Sequence, residues 1–170
     1  MPKISMSKIA AVLALACLSL IQCSKYKADG GKDGQSFAPD PARAFEVSAE
    51  LTSRAAERLK ALGDNLVIDT SYYGYPTDAA REKANRLHQI DLGQEKIVVA
   101  PPGFGAHMLG RMNTKGVADI TNGEVMLLVN GYSVTPVGAK DDQVACNYYR
   151  ARIDQAQAKP PVLQCDIETP

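Results

Sequence analysis

The chain has 170 residues, with 19 Lys and Arg against 19 Asp and Glu, and a mean hydropathy of −0.18. This balance excludes the strong positive field that nucleic acids select, so no nucleic-acid partner is expected. With 45% hydrophobic residues the length suffices for one domain with a real core, although Trp is missing and Tyr (7) outnumbers Phe (3).

The N-terminus carries Lys3 and Lys8, no acid, an apolar run from Ile9 to Ile21, and then Gln22 and Cys23. A basic start followed by a short apolar stretch has the form of an export signal. The run is shorter than the roughly 20 residues that span a bilayer. Leu20-Ile21-Gln22-Cys23 resembles the Leu-x-x-Cys box that ends the type II signal peptide of bacterial lipoproteins, with Gln22 where that family prefers a small residue. Ala14-Leu15-Ala16-Cys17 is a second box, with a shorter apolar run before it. The resemblance implies a signal over 1–22 and acylation of Cys23. Ser24 after the cysteine implies sorting to the outer membrane, on its periplasmic face. Several buried acyl chains, at about 0.8 kcal/mol per methylene, hold a protein firmly on a bilayer. An ordinary signal cut near Ala16, leaving Cys23 a free thiol, is the competing reading.

Residues 23–40 then read as the lipidated cysteine and a tether, since Gly, Ser, Lys and Asp dominate and little apolar surface is available to bury. Residues 41–170 read as one globular domain with a charge near neutrality.

Phe45, Val47, Ala49 and Leu51 alternate with Glu46, Ser48 and Glu50, which predicts a half-buried strand. Thr52 or Ser53 caps a helix over 54–62 with Ala55, Ala56, Leu59 and Leu62 on one side, and Gly63 stops it. Leu66–Tyr73 predicts a second strand, ended by Gly74-Tyr75-Pro76. Thr77–Leu87 reads as a short helix or a polar loop. Glu95–Ala100 is a short strand, with His107–Arg111 as its pairing partner. Asn122-Gly123 marks a turn, and Val125–Val134 a central buried strand. Thr135–Asp142 reads as a loop, and Val144–Ile153 and Val162–Ile167 as the last strands. Six or seven short strands with one or two short helices argue for a mostly antiparallel β-sandwich, immunoglobulin- or transthyretin-like in general shape. The stretch Phe45–Pro76 resembles small bacterial envelope lipoproteins.

Cys146 and Cys165, an even pair in an exported domain, predict a disulfide. Its closed loop is worth roughly 3 kcal/mol in the chain-entropy account. It would staple the terminal strands with Val144, Cys146 and Tyr148 facing in beside Leu163, Cys165 and Ile167.

The chemistry-bearing motifs are sparse. His88 and His107 lack metal-ligand spacing, and a mixed site such as His107 with Asp119 has little behind it. There is no Gly-x-Ser-x-Gly elbow, Gly103-Phe104-Gly105 lacks the Lys and Ser/Thr of a phosphate loop, and Asp141-Asp142 lacks calcium-loop spacing. No catalytic residue, metal or cofactor is expected. Tyr72, Tyr73 and Tyr75 cluster at one strand end, and tyrosine suits binding surfaces. Tyr73, Tyr75 and Phe104 are therefore the candidate binding surface. The leading expectation is a non-enzymatic, lipid-anchored protein that binds an envelope partner or serves as an accessory module. A small-ligand or glycan-binding module and a small hydrolase are the alternatives.

Overall fold

A computed structural model describes residues 37–100, 103–134 and 143–168. The stretch read as a signal, Cys23, most of the stretch read as a tether and the Thr135–Asp142 segment lie outside the described residues. In chain order the elements are β1 (Phe45–Leu51), α1 (Ser53–Leu62), β2 (Asn65–Gly74), β3 (Ile90–Val99), β4 (Gly105–Met108), β5 (Met126–Val134), β6 (Val144–Cys146), β7 (Tyr149–Arg152), α2 (Ile153–Ala158) and β8 (Val162–Ile167). The fold is mostly β and rich in antiparallel pairs, with few short helices, as the sequence predicts.

All eight strands join in one sheet: seven follow the hydrogen-bonded path β3-β2-β5-β6-β8-β1-β4, and β7 pairs with β5 off that path. The pair β1–β8 is parallel; the rest are antiparallel. Leu66, Ile68 and Tyr72 of β2, Leu127 and Val129 of β5, and Leu92 and Val99 of β3 point to one side and form the core with Val47, Met108 and Leu163. Period-two alternation on β1 and β2 selects this face.

Helix α1 forms where its caps demand. The Thr52 hydroxyl oxygen accepts from the Ala55 amide, and Gly63 closes the helix at φ 65°, a conformation costly for other residues. Its buried side chains are Ala55 and Leu59, while Ala56 faces water. The Thr52 hydroxyl donates to Asp166 at 2.7 Å and Arg54 reaches the same carboxylate at 3.1 Å, which ties the start of α1 to β8. Thr52, with the Ile167 amide and Arg54, holds the Asp166 carboxyl below its usual range.

Three expectations need correction. Strand β3 begins at Ile90, ahead of the Glu95 that the pattern suggests, because a bulge at Gly93 (φ 110°) interrupts the alternation while pairing to β2 continues. Strand β4 pairs with β1, not with β3. Val144–Ile153 is two strands rather than one. At Asn147 the chain turns aside: its amide donates to the Gln164 carbonyl and its side chain accepts from the Gln164 amide. Tyr148 therefore faces outward at 68% exposure instead of into the core. The stretch 77–87, open between a short helix and a polar loop, holds a 3-10 turn at Asp78–Lys83.

Cys146 and Cys165 form the disulfide across the β6–β8 pair, at directly opposed positions. Gly131 of β5 supplies the space: a Cβ there would lie 2.5 Å from the Cys146 sulfur and 3.3 Å from Leu163. Gly131→Ala is expected to cost about 1–3 kcal/mol by overpacking. Urea unfolding should show most of that cost vanish in a Cys146→Ala/Cys165→Ala background; an equal cost in both backgrounds would place the conflict elsewhere.

Candidate functional site

The two ends of the strand path, β3 and β4, lie against each other without a ladder between them. What joins them is a buried carboxylate. Glu95 of β3, 3% exposed, accepts from the Leu109 amide at 2.9 Å, the Arg111 amide at 3.1 Å and the Tyr72 hydroxyl at 2.8 Å. The Gly110 amide reaches the Tyr72 oxygen. Three successive amides are thus gathered around one acidic pair, an anion nest built by the chain itself. Gly110 permits it: φ is 68°, and a Cβ would meet the Asp40 carbonyl oxygen at 2.7 Å.

The seam is also closed directly. The Asn113 amide donates to the Leu92 carbonyl at 2.7 Å, and the Asp40 amide to the Leu109 carbonyl at 3.0 Å. Phe37 lies over Gly93, and its carbonyl accepts from the Arg111 guanidinium at 3.0 Å. Phe37–Asp40, at the end of the stretch read as tether, is therefore packed onto the body.

Beyond Leu109 the seam opens. A cleft of about 480 Å³ is lined by Glu95, Lys96 and Ile97 on one side, Gly105, Ala106, His107, Leu109 and Arg111 on the other, and Glu46 at the rim. His107 Nδ1 lies 2.6 Å from Glu46 Oε1, with both side chains exposed. Lys96 pairs with Asp69 at 3.1 Å. Partial burial opposes the Lys96 charge, but Asp69 and Tyr132 outweigh it and raise its pKa. The lining residues include no Ser, Thr or Cys, so the His107–Glu46 pair has no side-chain nucleophile in the cleft to activate. The two histidines do not converge: His88 sits in the Asn85–Gln89 turn at φ 57°. Asp119 pairs with Lys83 rather than with His107. Among the described residues, no group of three or more His, Cys, Asp or Glu is placed to hold a metal ion.

On the outer face of β2, Tyr73 and Tyr75 come together edge to face, 6.2 Å apart. Arg150 of β7 joins them, donating to the Tyr73 oxygen at 2.6 Å and the Tyr75 oxygen at 3.0 Å while its guanidinium lies 5.6 Å from the Tyr73 ring centre. Tyr73 is 6% exposed and Tyr75 47%. Among the described residues, no carboxylate pairs with Arg150. Phe104 does not join this cluster. It is half-buried against the core beside β1, where its carbonyl accepts the Ala49 amide at 2.7 Å. Arg150 had no signal in the sequence, since its approach to Tyr75 follows from β7 pairing with β5.

Compared with protein-family models, with curated proteins and with solved structures, the chain matches none. No helix among the described residues is long and apolar enough to cross a membrane.

Burial, then the adjacent Glu95 charge and the hydrogen bond to it, push the Tyr72 hydroxyl pKa far above its ordinary value of 10.0. The fold therefore favours the neutral phenol. Its contribution is complete below the unfolded pKa of about 10 and is lost as pH rises past it, by up to about 1.4 kcal/mol per pH unit. Tyr72→Phe should cost about 1.5–3 kcal/mol at pH 8, the worth of a hydrogen bond to a charged group. In urea titrations the gap to wild type should narrow between pH 10 and 11; a gap independent of pH would refute this origin.

Proposed function

We propose that this chain is an exported envelope protein, anchored through acylated Cys23 on the periplasmic face of a membrane, the outer membrane being favoured, and that it acts without catalysis as a protein-binding or accessory module. The observation that carries the binding reading is the Tyr73–Tyr75–Arg150 cluster. Tyr and Arg dominate the energetic centres of protein interfaces. Here the three side chains are already held by mutual hydrogen bonds, so little side-chain freedom remains to be lost on association. The Arg150 charge, which pairs with no carboxylate among the described residues, selects a partner surface that offers one. The anchor rests on the Leu20–Cys23 box and the basic N-terminus.

A second reading, a small-ligand module, draws on the seam cleft, whose rim carries charges of both signs around an apolar floor. It differs from the tyrosine-lined pocket that a glycan module predicts.

Two measurements check the proposal. Cys23→Ala should move the protein from the membrane to the soluble fraction and remove the acyl mass, whereas Cys17→Ala should do neither. A photo-crosslinking residue at position 75 in cells should give a discrete adduct that Arg150→Glu weakens at least tenfold. Adducts unchanged by Arg150→Glu would contradict the assignment of this face.

A further inference from the structure

The open half of the seam is a strand edge. In the β1–β4 pair, the Ala49 amide bonds the Phe104 carbonyl, which makes 49/104, and by alternation 47/106 and 45/108, the pairs that exchange hydrogen bonds. The amides and carbonyls of Gly105 and His107 therefore face away from β1, toward the cleft. Both residues are exposed, and no strand among the described residues pairs with this edge. The next residue on the edge shows what such groups take. Leu109 donates to Glu95 and accepts from the backbone of Asp40, a segment of this chain lying alongside. That pairing stops because Pro41–Arg43 coils into a 3-10 turn, leaving His107 and Gly105 uncovered.

We propose that the open half of the seam receives an extended segment of a partner protein, which adds as a strand to the outer edge of β4 and continues the line begun by Asp40. Only an extended backbone repeats donors and acceptors at the spacing of two strand residues, about 7 Å. The cleft sets the side chains it accepts. Alternate residues turned inward meet Ile97 and Ala106, which favours apolar side chains there. Those turned outward meet Lys96, His107 and Glu46 and are polar, with charges of either sign accommodated. Phe37 lies at the closed end of the seam, over Gly93. The inference rests on the protein-binding reading but uses a different face from Tyr75 and Arg150.

The test uses the full-length chain in detergent and a displayed library of random nine-residue peptides. Selected peptides should alternate apolar and polar residues. They should slow amide exchange at Gly105 and His107 at least tenfold, and lose at least tenfold in affinity for Gly105→Pro. That variant removes an N–H directed at the seam while sparing the β1 ladder. Gly105→Ala, whose Cβ would sit 3.7 Å from the nearest contact, should bind like wild type. Exchange on the wild-type protein needs no variant, so a misfolded Gly105→Pro does not rescue the proposal. Failure to select peptides, or selection of peptides that leave both amides unprotected, overturns it. So does concentration-dependent dimerisation that protects the same amides without peptide, since the occupant would then be a second copy. Peptides that bind Tyr75→Ala and Arg150→Glu normally would support the seam while leaving the tyrosine face to its own crosslinking test.

Discussion

The carboxylate of Glu95 is the constraint on which the shape of this protein turns. A buried carboxylate loses several kcal/mol of hydration, and only good hydrogen bonds offset that. Glu95 has three, from Tyr72, Leu109 and Arg111, each worth about 1.5–3 kcal/mol to a charged acceptor. The bonds offset the burial, and a buried charge held in this way is weak evidence for stability. The gain is geometric. An apolar residue at 95 would leave two amides and a phenol without partners and would give the segment after β4 no reason to approach β3.

That approach decides which strand edges are covered. A β-sheet with two free edges invites pairing with other chains. Here the end strands of the path face each other, and half of their shared seam is occupied by the Glu95 carboxyl, the Asn113 amide and the incoming residues Phe37–Asp40. The other half presents unpaired backbone around an apolar floor. The same carboxylate that closes one end thus defines where the opening begins. The tyrosine–arginine cluster lies on the outer face of β2 and β7, away from the core side that Glu95 occupies.

Much of the architecture was legible locally. Thr52 and Gly63 bracket α1, the alternation from Phe45 marks β1, and the apolar run from Leu66 to Tyr73 marks β2. The cysteine pair gave the disulfide. The failures share a cause: each depends on a contact that local pattern does not carry. Glu95 read as the polar first residue of a short strand, because a glutamate there ordinarily faces water. Its true partners lie 14 and 16 residues on. Without them, nothing in the local pattern brings β1, rather than β3, to β4. The break at Asn147 is made by its bonds to Gln164, so no turn signature announces it. At the candidate site, the tyrosines were visible as a cluster, but Phe104 belongs to another part of the fold, and Arg150 arrives only through strand pairing.

The most direct measurement is amide hydrogen exchange at Leu109 and Arg111 in wild type and in Glu95→Gln. Glutamine keeps one acceptor oxygen but presents an NH2 group where the second oxygen stood, so it can accept from Leu109 or from Arg111 and Tyr72, but not from both sets. In wild type both amides should be protected like those of β2. In Glu95→Gln at least one of the two should exchange ten or more times faster while β2 amides change little. Wild-type exchange at both positions as fast as in exposed turns, or protection untouched by the substitution, would contradict the account.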